Sequence, residues 1–421
     1  MYQTASHTAA PRPPRPRRLL LPAVIILVLV AIALVVVQPL WHDPPRPKAT
    51  PTLPATTRIP GPAPELPWPS TGQAAVSVDG VGDLGSHGAP TPVAIGSVAK
   101  VMTAYVVLTD RPLRVGEPGP SLTVSNEQAG AYPAEQARGE SLVEVVAGAR
   151  FTQREALQAV LLPSANNMAR ILAAWDAGSV AAFVAKMNAM ATGLGMRNTR
   201  YTDPAGLAPD TVSTAVDQVI LTRRAMALPA FAEIVAQSKA TLPVAGTVNN
   251  YNDLLGRDGV VGVKTGSTDQ AGGCFVFAAA TRVGGAEFLV VGAVLGQPGK
   301  DTPAQLRSVF AATTPLVRAV SAALGRHTVV PAGQEVATVR GPLDDRASLR
   351  AGHDLEVIGW PGLEVRLGAE LPPVPRQVTA GAEHGRVVAT VGAQPPVGTP
   401  LRADQPLESP GVWDRLTRAD T

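Results

Sequence analysis

Hydrophobic positions are distributed along this chain in three ways. From Leu19 to Val37 they are continuous apart from Pro22. A helix of that length rises ~28 Å, close to the hydrocarbon thickness of a bilayer, so residues 19–40 are expected to cross a membrane. From Gln73 to Val78 apolar and polar residues alternate up to an Asp79-Gly80 turn, the period of a strand. Helical spacing follows at Val98–Leu108, Gln153–Leu162, Asn166–Trp175 and Val180–Leu194, the last with Gly195 as its stop. β-branched apolar runs return at Val260–Val263, Cys274–Thr281 and Glu287–Leu295, with a hairpin turn at Val283-Gly284-Gly285. Helical spacing over Thr302–Ala323 closes the unit, with Thr302 as its cap, Pro303 in its first turn and Pro315 as a kink or split. This order predicts an α/β (α+β) domain over residues 73–325, helices packed on a largely antiparallel sheet. Beyond Arg326 short alternating segments such as Glu335–Val339, Leu355–Ile358 and Arg386–Val391, separated by Gly and Pro, predict a small all-β module over residues 326–410, with 411–421 as a tail.

Between the apolar run and the first domain, residues 41–72 are crowded with prolines, among them Pro44, Pro45, Pro47, Pro51, Pro54 and Pro60. They favour extended polyproline II and are expected to form a stiff linker. The formal net charge of +3 comes from residues 1–18, where Arg12, Arg15, Arg17 and Arg18 stand without an acid. The rest of the chain is slightly acidic, so nothing in it suggests a nucleic-acid partner. Those arginines should stay cytoplasmic, which sends everything after Trp41 to the outer face. Residues 38–42 offer no small-x-small cleavage site, which favours a single-pass anchor over a cleaved signal peptide. Cys274 is the one cysteine, so no intrachain disulfide forms, and its apolar neighbours suggest a buried thiol.

Three short elements could carry chemistry. Ser97-Val98-Ala99-Lys100 opens a helix after Gly96, and at i and i+3 its hydroxyl and amine share a face. Ser164-Ala165-Asn166 falls in the break between two helices, and Lys264-Thr265-Gly266 ends an expected strand. Each alone could be chance, with Ser97 and Ser164 as helix caps and Gly266 as a turn. Their order argues otherwise, as does the placing of two of only six lysines within them. Arginine keeps its proton in a protein, whereas a desolvated lysine beside another cation can act as a general base.

With this motif set the chain resembles the penicillin-recognising serine peptidases, and among them the low-molecular-mass D-alanyl-D-alanine carboxypeptidases; the same three elements mark penicillin-binding proteins in general. Ala94-Ile95-Gly96-Ser97, Leu161-Leu162-Pro163-Ser164, Leu194–Thr199 and Val261–Gly266 also look like this family, so the likeness runs roughly from Gln73 to Val320. The β-rich stretch resembles the accessory carboxyl-terminal domain of some members. The resemblance implies that Ser97 attacks the carbonyl between two terminal D-alanines of a peptidoglycan stem peptide while Lys100, as free amine, takes its proton. Ser164 would relay a proton to the leaving amine, and Asn166 would bind the substrate backbone. Lys264 would supply a cationic field, Thr265 the carboxylate contact, and the N–H groups of Ser97 and Ser267 the oxyanion hole. Gly266 belongs to the same element, and Thr268 is a further candidate for the carboxylate. The middle residue of the second element, Ala165, departs from the Gly or Asp of many relatives; the pattern demands only the outer Ser and Asn. β-Lactams are expected as covalent inhibitors.

Rival readings remain at this level. A β-lactamase shares the three elements but needs an added deacylating glutamate, and no Glu-x-x-Leu-Asn stretch follows the second element. A D,D-endopeptidase uses the same acyl half-reaction. A non-catalytic wall-binding protein would keep the pocket without turnover. Gly80–Gly85 matches a dinucleotide-binding glycine pattern, but the turn-rich Ser86–Pro92 that follows offers no helix for a pyrophosphate. All six histidines lie outside residues 88–325, which disfavours a Ser-His-Asp site and predicts a site free of metal and cofactor.

Overall fold

The structure, a computed structural model, describes residues 20–41, 46–342 and 345–417. The four arginines of the basic tail and Pro44 and Pro45 lie outside the described residues. The apolar run forms one helix, Leu20–Trp41, with its described side chains in the open along nearly the whole length. It is long and apolar enough to cross a membrane.

Five antiparallel strands form the central sheet, in the order Val260–Thr268, Gly272–Val283, Ala286–Gln297, Gln73–Val78 and Gly82–His87. The two longest are buried over most of their length because helices cover both faces: Ala215–Met226 lies on one and Thr302–Ala323 on the other. That double burial explains continuous apolar runs where a half-exposed strand would alternate. Gly284 and Gly285, both with positive φ, turn the hairpin that joins them. The helices Lys100–Asp110, Gln153–Leu161, Asn166–Ala177 and Val180–Gly193 pack as a second body beside the sheet. Gln153–Leu161 starts in a capping box, with Thr152 Oγ1 accepting from Glu155 N and Glu155 Oε2 accepting from Thr152 N.

Three local expectations are corrected. Asp301, not Thr302, caps the closing helix, accepting from Ala304 N at 2.8 Å, and one helix runs through Pro315 without splitting. The strand carrying Lys264 does not end there but continues to Thr268, because the ladder with the next strand holds up to Thr268 opposite Gly272. The expected spacer is only partly a spacer. Lys48–Pro51 and Thr56–Arg58 are strands that pair with Glu335–Arg340 and Glu364–Glu370, the two outer strands contributed by the carboxyl-terminal module. Polyproline II and β backbone lie close in φ and ψ, and Pro is tolerated on an edge. Further bonds complete the pairing: Thr52 N donates to Val336 O and Ala55 O accepts from Leu367 N, both at 2.8 Å. The resulting seven-stranded antiparallel sheet also contains Arg346–Ala351, Val397–Ala403 and Glu383–Thr390.

Candidate active site

The site is assembled where the edge strand Val260–Thr268 meets the helical body. Gly96–Ala99 is a 3-10 turn leading into Lys100–Asp110, and it presents Ser97 half-buried at the seam. The close approach depends on missing side chains. A Cβ on Gly266 would lie 2.8 Å from Ile95 O and 3.1 Å from Ser97 N. One on Gly206 would lie 1.8 Å from Gly96 O.

Lys100 is fully buried, one helical turn from Ser97. Its Nζ is 2.8 Å from Ser97 Oγ, 2.6 Å from Asn166 Oδ1 and 2.9 Å from Ala205 O. An ammonium would donate to all three. A neutral amine has two N–H donors, which suit the carbonyl-type oxygens of Asn166 and Ala205, and one lone pair, which then faces the Ser97 hydroxyl. Burial pushes the Lys100 amine well below its ordinary pKa, and the neighbouring Lys264 cation lowers it further. Asp203 and Glu140 act the other way, and Arg170 acts with Lys264. Burial also lowers Lys264, to about 7. Its Nζ donates to Thr265 O at 2.9 Å.

Ser164 sits at φ +64° between two helices, a left-handed backbone that costs a non-glycine residue about 1–3 kcal/mol. Its Oγ is buried and has no hydrogen-bond partner among the described residues, so both its donor and its acceptor capacity remain for a ligand. Asn166 opens the next helix, its N–H donating to Ser141 O at 2.7 Å. Thr265 is buried on the strand Val260–Thr268. Together the three elements form one cluster: Ser97, Lys100 and Asn166 are in direct contact, and Lys264 lies close enough to perturb Lys100.

The model of the D-alanyl-D-alanine carboxypeptidase family, Peptidase S11, matches residues 75–297, just over half of the chain. The chain belongs to this family. Similar proteins include a D-alanyl-D-alanine carboxypeptidase of Mycobacterium tuberculosis, 41% identical over 145 residues, which cover 33% of this chain and 50% of that protein. A D-alanyl-D-alanine endopeptidase of Pseudomonas aeruginosa is 34% identical over 192 residues, 44% of this chain and 58% of that one. The chain thus spans about half to three-fifths of the length of these curated relatives. Penicillin binding protein 5 from Haemophilus influenzae superposes with a TM-score of 0.56 over 82% of this chain and 99% of its own, at 22% identity, and so shares the fold.

In this family member the side chains of Ser267 and Thr268 also secure the end of the strand. Ser267 Oγ contacts Thr302 Oγ1 at 2.8 Å and Gln305 Oε1 at 2.7 Å, tying the strand to the closing helix. Thr268 Oγ1 accepts from Ala271 N at 3.0 Å and holds the turn after the strand. Burial pushes the Cys274 thiol up to about 12, and it donates to Ala271 O. It is a packing residue, as its neighbours suggested.

Sequence reasoning missed the supports. Asp203 gathers one loop: its Oδ1 accepts from the N–H groups of Ala205, Gly206 and Leu207, and its Oδ2 from Ala208 N and Thr211 Oγ1. That loop delivers Ala205 O to Lys100. Glu140, from the segment before the second element, accepts from Asn166 Nδ2 at 3.3 Å. The Asp203-Pro204-Ala205-Gly206 run was a readable turn signal. For Glu140 the chain offered only that Arg170, its partner, lies four residues after Asn166.

Proposed function

We propose that this protein is a serine-type D-Ala-D-Ala carboxypeptidase that removes the terminal D-alanine from peptidoglycan stem peptides outside the membrane. One observation carries the reading: a buried lysine with a strongly depressed pKa, its Nζ 2.8 Å from the hydroxyl of Ser97. Ser97 Oγ attacks the penultimate D-alanine carbonyl as its proton passes to Lys100 Nζ. The amide bond to the last D-alanine breaks, and the leaving amine takes a proton through Ser164, which leaves a Ser97 ester. Water then hydrolyses the ester, with Lys100 as base. Asn166 binds the substrate backbone. Lys264 and Thr265 receive the terminal carboxylate, with Thr268 beside them, and Gly266 admits the strand to the seam. The N–H groups of Ser97 and Ser267 take the oxyanion, where one lost donor costs ~10²–10³ in rate. β-Lactams stop at the ester. The helix Leu20–Trp41 serves as a single-pass anchor, with the basic tail on the cytoplasmic side.

A fluorescent penicillin tests this directly. Wild-type protein should be labelled and Ser97→Ala left blank, and labelling of both would remove Ser97 from the chemistry. The similarity to a D-alanyl-D-alanine endopeptidase supports a second reading, hydrolysis of D,D cross-links by the same acyl step. Products from pentapeptide and from cross-linked muropeptides separate the two.

A further inference from the structure

Asn166 is asked for two opposite things at once: its side chain must offer an oxygen to Lys100 and an N–H to whatever lies in the cleft. The two ends of an amide are nearly the same shape, so only neighbouring charges decide which end points where. Glu140 decides it here. Its Oε2 takes the Nδ2 donor of Asn166 at 3.3 Å and leaves the second Nδ2 hydrogen uncommitted, while Oδ1 faces Lys100 at 2.6 Å. A flipped amide would set its NH2 group against the amine and its oxygen against a carboxylate.

The carboxylate is itself held. Arg170 donates to Oε2 at 2.8 Å, and Arg138 donates to Oε1 through Nε at 3.1 Å and Nη2 at 2.8 Å. Burial would raise the Glu140 carboxyl, but the hydrogen bonds from Arg170 and Arg138 outweigh it and hold the group below its ordinary pKa, so it stays an acceptor. Arg170 stands one turn after Asn166 on the same helix and also pairs with Glu135 at 2.6 Å. We propose that Glu140, clamped by Arg138 and Arg170, is a positioning residue that fixes the Asn166 amide with its oxygen on Lys100 and its free N–H toward substrate. The proposal rests on the acyl-transfer reading above for its kinetic consequence, though not for its geometry.

The test compares Glu140→Gln and Glu140→Ala in the full chain, using the rate of acylation by a fluorescent penicillin across pH. Lys100 is faced by Lys264 from the strand, Asp203 from the loop, and Arg170 and Glu140 from the second element's side. Removing the Glu140 charge leaves the cations uncompensated, so more acid should be needed before Lys100 gains its proton to the same extent. The acid limb of the rate profile is therefore expected to move to lower pH in both variants. The maximal rate should fall roughly tenfold or more in Glu140→Ala, where the amide is free to turn, and less in Glu140→Gln, which keeps an acceptor. An unmoved limb, with rates that fall only as the folded fraction falls, would leave Glu140 a structural residue and overturn the proposal. A wild-type chain that never reacts would sink the acyl-transfer reading instead. The clamp is then judged by the Asn166 side-chain amide signal in 15N-asparagine-labelled protein, identified by its loss in Asn166→Asp: it should shift and exchange faster in Glu140→Ala, and an unchanged signal would refute it.

Discussion

Burying the Lys264 ammonium costs folding free energy that no ion pair among the described residues returns, and its Nζ donates to a backbone carbonyl. Burial lowers its pKa to about 7 in the folded protein, against an ordinary value of 10.5. Below pH 7 both states hold the proton and the penalty is constant. Between pH 7 and 10.5 the unfolded chain holds a proton that the folded chain lacks, so stability rises with pH across that window. Lys264→Met removes the penalty while keeping most of the volume. It is expected to stabilise the protein at pH 7, by up to a few kcal/mol, to flatten the rise of melting temperature above pH 7, and to lose penicillin acylation. A melting temperature at or below that of wild type at pH 7 would contradict this. The lysines themselves were legible in the sequence because they are scarce and sit in short motifs. Glu140 and Arg170 were not, because acidic and basic residues are common and only the folded backbone brings them to Lys100 and Asn166; Asp203 announced a turn but not that the turn reaches Lys100.

At the scale of elements, periodicity marked the helices around the site, the closing helix and the buried strands because each satisfies its own backbone and shows one repeating face, but it missed Ala215–Met226, which covers one face of the sheet. Boundaries set by a single side chain, such as Asp301 against Thr302, escaped it, as did the irregular loop at Asp203–Thr211, which has no period at all. That loop is nonetheless among the most constrained segments. Gly206 has φ +79° and passes so close to the Ser97 turn that a Cβ would meet Gly96 O at 1.8 Å. Gly206→Ala must therefore move one backbone or the other, displacing Ala205 O from Lys100. Acylation should drop about 100-fold or more, the scale of a 1 Å misplacement, together with a lower melting temperature. Gly178→Ala is the control: its φ is +80° but nothing lies within 4 Å of the added carbon, so it should cost about 1 kcal/mol of stability and leave the acylation rate of the folded protein intact. Equal kinetic losses in the two variants would mean that left-handed backbone, and not the approach to Gly96, explains the effect.

In the whole molecule the amino-terminal segment does what composition alone could not reveal. Prolines signal an extended backbone, but whether that backbone stays in solvent depends on partners more than 270 residues away, the strands at 335–340 and 364–370. Lys48–Pro51 and Thr56–Arg58 are consecutive in the chain yet cover opposite edges of one sheet, so a single strap closes both. Ile59, just past the strap, is buried, with its N–H on Leu363 O and its carbonyl accepting from Gly362 N. Removing residues 1–59 would strip both edge strands and a buried isoleucine, whose burial alone is worth ~2 kcal/mol, and would leave two rows of unpaired backbone groups open to self-association. Removing only residues 1–45 keeps the strap. Both shortened proteins should react with penicillin, since the strand Val260–Thr268 and the helical body are untouched. The shorter one is expected to melt its carboxyl-terminal module earlier, to exchange amide hydrogens faster in Glu335–Arg340 and Glu364–Glu370, and to form oligomers on size exclusion. Identical exchange in those two strands would show that the sheet stands without its strap, and that the proline-rich segment is after all only a tether.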